Sequence, residues 1–423
     1  MLKLQRIESV LLFLIVLFLP TQLGKHFWPE FSFVYSLPID YLSPTLYSWD
    51  LLVVSLCIIF ILQGSHINRL ALNLFFFFIL TQTLSLLPNF ASLGVGLVRL
   101  EQYFIAGLFG VYIASSKNPW AKTVIFCGFV LSILGESFLA VAQFLKMGTL
   151  GFWFLGERTF SISTPGISKF DFYGREFLRP YATFPHPNVL AGFMILGIVV
   201  LNSAKDLWRM PSKKSVEILL EQGQIKMTIL GTTMLAALVI LLTVSRVAII
   251  AGLVFAAITL IKTRGRVLLL IAVIISLPIL YTRFSSLLNF DNLTFVRREE
   301  LSLVAFRVWT NSPFFGVGLN NFIPSASDLL ISGPSRFLQP VHNIFLLALS
   351  ETGMVGLIGL IVLLGYPIFL TFKLSPKPYL LNPILFLWGI IVFLGMFDHY
   401  FLTLPQGYRL LFFIWGLTLR LYI

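Results

Sequence analysis

Long apolar runs fill most of the chain, and short polar stretches separate them. As helices, runs of about 20 apolar residues match the hydrocarbon thickness of a bilayer. Every backbone amide in that layer needs an internal partner, so the choice lies between helices and a closed barrel. These runs are continuous and do not alternate, which predicts helices. Their lengths and polar flanks place about twelve spans, near 8–24, 46–63, 70–88, 97–115, 121–146, 187–204, 226–244, 246–262, 267–282, 342–372, 380–397 and 408–421. The stretch 226–262 is too long for one span and is expected to turn near Ser245-Arg246. The stretch 342–372 is also long, and is expected to tilt or to begin outside the hydrocarbon. The expected fold class is an all-α polytopic membrane protein of about 12 transmembrane helices. No internal repeat or low-complexity linker interrupts residues 1–423, which are read as a single integral membrane domain.

Composition agrees. The chain is 57% hydrophobic and 11% charged, with a mean hydropathy of +0.91, far too apolar to hide in a soluble core. The net charge of +12 does not point to nucleic acid, because the charges sit in short loops between spans, where they set orientation and meet anionic lipid. Cys57 and Cys127 fall inside apolar runs and read as packing residues, with no disulfide or metal spacing. Lys3 and Arg6 before Val10 to Leu19 resemble a signal peptide, but no small-residue cleavage site follows Pro20. A retained first span is therefore expected.

Lys and Arg in the short loops set the topology, with the N-terminus inside. Lys117, Lys122, Lys205, Arg209, Lys213, Lys214, Lys226, Lys262, Arg264, Arg266, Lys373 and Lys377 then face the cytoplasm, and an even number of spans returns the C-terminus there too. Sorted this way, the 30 cations divide into ten Lys and six Arg inside, and three Lys and eleven Arg outside. Lysine suffices as an anchor, whereas the planar arginine fork binds phosphate bidentately and stays charged. An arginine-rich outer face therefore points to a phosphate-bearing lipid. Pairing with the loop acids Glu157, Asp171, Glu176, Glu299 and Glu300 is the plainer alternative.

Two outer loops are long, about 147–186 and 283–341, and their apolar content predicts that they fold over the bundle. In the second, a long extracytoplasmic loop expected to contain short helices, Leu293 to Asn311 reads as an amphipathic helix. Val296 and Leu303 are placed toward membrane or bundle, and Arg297, Arg298, Glu300 and Arg307 toward water. Pro313, Gly316 and Gly318 then end it.

The candidate chemistry lies where apolar runs end. His342 opens a span after the long outer loop, and an imidazole of ordinary pKa about 6.5 can take a proton from a hydroxyl. Asn343 could orient it or a sugar, and a helix-capping role is the alternative for this pair. Arg179 precedes Pro180 and lies seven residues before His186. His186, between Pro185 and Pro187 and next to Asn188, suits a rigid helix start as well as catalysis. Arg246 stands in an otherwise apolar stretch, where a charge costs several kcal/mol unless it reaches water or a partner. It reads as a headgroup ligand, with a snorkelling arginine as the alternative. Glu101, Glu136 and Glu351, in or near spans, read as structural partners first. No phosphate loop, zinc-type cluster or paired-aspartate motif is present, so no metal or nucleotide cofactor is expected.

Taken together, the segments Arg179 to Asn188 (RPYATFPHPN), Ser245-Arg246, Trp309 to Phe322 (WTNSPFFGVGLNNF) and His342 to Gly359 (HNIFLLALSETGMVGLIG) resemble the O-antigen ligase and polymerase superfamily. The resemblance covers about residues 179–359; the first five spans match only in hydropathy. It implies a multi-pass enzyme of the bacterial cytoplasmic (inner) membrane, its active site facing outside. The implied donor is an undecaprenyl-diphosphate-linked oligosaccharide and the implied acceptor a glycolipid or glycan hydroxyl. By resemblance to the ligase branch, Arg179 and Arg246 bind the diphosphate, His342 activates the acceptor, and transfer is metal-independent and inverting. Arg297, Arg298, Arg307, His186, Asn188, Asn343 and Glu351 stand as possible support. A repeat-unit polymerase is the near alternative, and a transporter or lipid-linked glycan flippase the alternative from another class. Transporters favour midplane sites and repeats, whereas the polar signals here gather in outer loops.

Overall fold

The computed structural model of the chain describes residues 2–88, 93–172, 174–203, 222–260, 266–285, 293–329, 338–374 and 382–422. The cations Lys205, Arg209, Lys213, Lys214, Lys262, Arg264 and Lys377 lie outside these residues, as do parts of the 283–341 loop. In chain order the helices are α1 (Leu2–Leu17), α2 (Ser48–Leu62), α3 (Arg69–Leu84), α4 (Leu93–Ser115), α5 (Ala121–Lys146), α6 (Pro187–Asn202), α7 (Gln222–Thr243) and α8 (Arg246–Leu260). They continue with α9 (Arg266–Ser285), α10 (Leu293–Asn311), α11 (Phe322–Ala326), α12 (Ile344–Leu374), α13 (Pro383–Phe397), α14 (Tyr400–Thr403) and α15 (Pro405–Tyr422).

Among the described residues, four helical stretches are long and apolar enough to cross a membrane: Leu93–Ser115, Ala121–Lys146, Gln224–Thr243 and Ile344–Leu374. Five shorter apolar helices accompany them, at Ser48–Leu62, Arg69–Leu84, Pro187–Asn202, Arg246–Thr259 and Pro383–Phe397. The stretch 226–262 divides where expected: α7 ends at Thr243, Val244 takes φ 51° and α8 starts at Arg246. The helix expected in the 283–341 loop spans Leu293–Asn311. Its inward stripe is Leu301, Val304, Ala305 and Val308, the i, i+3, i+4, i+7 spacing of one helical face, while Val296 and Leu303 are exposed.

Short sheet is the departure from an all-helical reading. Among the described residues, six strands form three antiparallel pairs: β1 (Gly24–His26) with β4 (Thr45–Tyr47), β2 (Phe33–Val34) with β3 (Leu37–Pro38), and β5 (Lys169–Phe172) with β6 (Arg175–Leu178). Ladders of two to four residues are too short for alternation to register in sequence.

Contacts divide the chain into two compact units. The first comprises Met1–Leu23, Lys117–Leu288 and Ser375–Ile391. In it α5 packs against α1 and α7, and α6 against α7. The second comprises Gly24–Ser116, Asn289–Leu374 and Val392–Ile423. In it α4 packs against α2, α3 and α15, and α12 against α3 and α10. A Cβ on Gly416 would stand 2.4 Å from the Gly110 carbonyl oxygen, so α4 and α15 touch backbone to backbone through small residues. Arg409 on α15 is fully buried there. Its guanidinium lies over the rings of Tyr47 (4.6 Å) and Trp49 (4.5 Å), with Nη2 3.5 Å from Asp50 Oδ1. Partners of this kind offset the cost of a buried charge.

Candidate functional site

In the first unit the segment 179–188 is pinned by two polar side chains of α5. Gln143 accepts the amides of Tyr181 (3.0 Å) and Ala182 (2.7 Å) and donates to the Ala182 carbonyl (3.1 Å). Glu136, seven residues earlier and so on the same helix face, accepts the amide (3.0 Å) and hydroxyl (2.7 Å) of Thr183. Ala182 is held at φ 51°, a left-handed conformation that these bonds over-determine. The segment therefore has a fixed shape, and Arg179 emerges from it just after β6.

Arg179 is buried. Its Nε donates to the Thr243 carbonyl at 2.6 Å and its Nη2 to Asn188 Oδ1 at 2.7 Å. Thr243 is the last residue of α7, so the cation caps the negative end of that helix. Three residues on, half-buried Arg246 opens α8, and the Ser245 carbonyl accepts the Ile249 amide at 2.9 Å. Arginines 67 residues apart in sequence thus converge on one interhelical turn, where the positive end of a helix also favours an anion. His186 caps α6: Nδ1 accepts the Asn188 amide at 3.1 Å and Nε2 lies 3.2 Å from Ser168 Oγ. Nδ1 as acceptor puts the ring proton on Nε2, and this histidine has a structural task. Asn188 reaches the site through its bond to Arg179.

The second unit holds the other group. His342 precedes α12, and Asn343 caps that helix: its Oδ1 accepts the amides of Phe345 (2.9 Å) and Leu346 (3.0 Å), and its Nδ2 donates to the Met396 carbonyl (3.2 Å). The His342 ring meets His399 edge-to-face at 5.1 Å and 71°. Burial, and then the neighbouring His399 and Arg298, push the His342 imidazole down to about 3 against the opposing effect of Asp398. Burial, then Arg298 and Arg99, push His399 down to about 3. Both rings are therefore neutral near pH 7, the state that can accept a proton. His342 Nδ1 is buried with no hydrogen-bond partner among the described residues.

The Pro313 to Gly318 segment docks onto a break in α12. Gly353 has φ 63° and ψ −163°, and the amides of Met354 and Val355 there donate to the carbonyls of Pro313 (2.9 Å) and Phe314 (3.1 Å). Val317 donates to the Ser350 carbonyl at 3.0 Å. Glu351, buried beside the break, accepts the Phe322 amide at 3.4 Å. From this junction Asn320 Oδ1 takes Arg99 Nη2 at 3.0 Å, and Arg99 Nη1 donates to the Thr403 carbonyl at 2.7 Å. Of the loop arginines, Arg297 and Arg298 are half-buried and Arg307 is exposed. Gln143, Arg99, Asp398 and His399 were not singled out as site residues from the sequence. The adjacent titratable pair Asp398-His399 at the end of an apolar run is the signal that would have found the last two.

Residues 231–361 match the family model described as O-antigen ligase. That segment is similar to the O-antigen ligase family. No curated protein matches the chain. The O-antigen ligase segment contains Arg246, Arg297, Arg298, Arg307, His342, Asn343 and Glu351, and the hydrogen bond to Thr243 ties Arg179 to it from outside. The family supports an envelope-glycan enzyme of the ligase or polymerase type, with lipid-linked glycan substrates in a membrane setting.

Proposed function

We propose that the chain transfers a glycan from undecaprenyl diphosphate to an acceptor hydroxyl at the outer face of the bacterial cytoplasmic membrane, as an O-antigen ligase. Arg179 and Arg246 bind the diphosphate, with the N-terminus of α8 beside them. His342 takes the proton of the acceptor hydroxyl. The freed oxygen attacks the anomeric carbon from the face opposite the leaving group, and the sugar–phosphate bond breaks with its electron pair going to the diphosphate. Configuration inverts. The leaving group is already activated, and fixed guanidinium groups stabilise the charge growing on it, so the step requires no metal. The polyprenyl tail stays in lipid throughout, within a bundle of about twelve spans with both termini in the cytoplasm. The lipid A core is the favoured acceptor, with another envelope glycan as the alternative.

The observation that carries this reading is the O-antigen ligase segment at residues 231–361, which holds both Arg246 and His342. Arg179 joins it through the 2.6 Å bond to Thr243. The test is transfer of glycan from undecaprenyl diphosphate by full-length protein in lipid vesicles. His342→Ala is expected to insert at the wild-type level and to lose turnover. A His342→Ala protein that transfers at the wild-type rate would overturn the assignment.

A further inference from the structure

His399 is buried, its Nδ1 2.6 Å from the Thr403 hydroxyl, and that hydroxyl also lies 3.2 Å from the His399 carbonyl oxygen. A threonine hydroxyl has one proton. Given to the carbonyl, it leaves the oxygen to accept from His399 Nδ1–H, which fixes the tautomer. The arrangement is anchored further out. Arg99 holds the Thr403 carbonyl and Asn320, and Tyr41 packs edge-on to the His399 ring at 5.7 Å. The His399 backbone amide donates to Asp398 Oδ1 at 2.8 Å, which orients that carboxylate. A ring this tightly held, edge-to-face with His342 at 5.1 Å, can fix the orientation of its neighbour.

Charge distribution gives the second half of the argument. The groups that act on His342 are His399, Asp398 and Arg298, and those that act on His399 are Arg298 and Arg99. Asp398 is the carboxylate in this set. An imidazolium formed in a buried place needs a counter-charge, because an unpaired buried charge is costly. The His342 Nδ1 is also buried and lacks a partner among the described residues. Leaving a buried polar atom unpaired is costly, and a partner that engages only when the ring is charged would account for it.

We propose that Asp398 and His399 are positioning residues for the proton acceptor: His399 holds the ring of His342, and the Asp398 carboxylate stabilises the imidazolium that His342 becomes during transfer. This rests on the reading of His342 as the base. The proton leaves the acceptor oxygen for a His342 ring nitrogen, the oxygen's electron pair forms the glycosidic bond, and the diphosphate departs with the pair of the broken bond.

The test compares full-length Asp398→Asn, Asp398→Glu, His399→Gln and Thr403→Val with wild type and His342→Ala. Each is assayed for transfer from undecaprenyl diphosphate-linked glycan across a pH series. Asp398→Asn is expected to lower kcat by about tenfold or more at unchanged donor KM, within the range of general-base effects. Loss of the carboxylate also makes His342 harder to protonate, so the acid limb of the kcat profile moves to lower pH. Asp398→Glu should restore part of the rate. Thr403→Val, a change of nearly equal size, should lower kcat with KM unchanged even if Asp398→Asn accumulates poorly. If Asp398→Asn, His399→Gln and Thr403→Val all keep kcat within about twofold while His342→Ala is inactive, the positioning role is refuted and the base assignment stands. An active His342→Ala protein refutes both.

Discussion

Gly353→Ala tests the junction between the Pro313 to Gly318 segment and α12. Gly353 adopts φ 63° and ψ −163°, a region open essentially to glycine alone. A Cβ there would stand 2.3 Å from both the carbonyl carbon and oxygen of Phe314 and 2.5 Å from the Phe315 nitrogen. These are backbone atoms, so no side-chain rotation relieves the clash. Forcing the conformation costs about 1–3 kcal/mol. Withdrawing the segment adds the loss of the Met354 and Val355 hydrogen bonds, about 0.5–1.5 kcal/mol each, for a total of about 2–6 kcal/mol. The assay is thermal unfolding in detergent, where this loss should lower Tm by about 2–7 °C. Gly365→Ala, in the same helix, is the control. No heavy atom comes within 4 Å of its Cβ, so only the helix-propensity gain of about 0.5–1 kcal/mol applies. A Gly353→Ala protein that melts with wild type would show that the break in α12 does not bind the segment as described.

Three further outcomes follow from the same geometry. Arg246→Lys should raise the donor KM more than a conserved charge suggests, since the two-pronged fork is lost; an unchanged KM would make Arg246 a simple anchor. His342 and His399 are pushed from about 6.5 down to about 3, so the unfolded chain binds more protons between those values. Their contribution to stability is complete above about pH 6.5 and is lost as pH falls toward 3, and a double His342→Gln, His399→Gln protein should show a shallower fall of Tm on acidification. Chelator should leave transfer unchanged, and activity lost to chelator and restored by Mg²⁺ would contradict the metal-free step.

Much of the architecture was legible because hydropathy and helix breakers act locally. The turn at Ser245-Arg246 and the end of α10 at Asn311 both follow from short-range pattern. Arg179 could be named but its partner could not: the bond to Thr243 joins positions 64 apart, and no local period encodes it. The same holds for Arg99, which donates to the Thr403 carbonyl across 304 positions. Gly353 lies within a continuous apolar run that averages as helix, and its left-handed backbone shows only when the Phe314 carbonyl is seen against it. Asp398 and His399 fell just beyond a span whose end was set by hydropathy, and their meaning depends on His342, 57 positions earlier than His399.

The most direct test of the central claim is an equilibrium binding isotherm for undecaprenyl diphosphate-linked glycan, measured on wild type, Arg179→Ala, Arg246→Ala and His342→Ala in the same vesicles used for transfer. The account predicts donor affinity weakened by about tenfold or more in each arginine variant, and wild-type affinity in His342→Ala, which nevertheless forms no product. Full donor affinity in both arginine variants, or donor binding lost in His342→Ala, would contradict it.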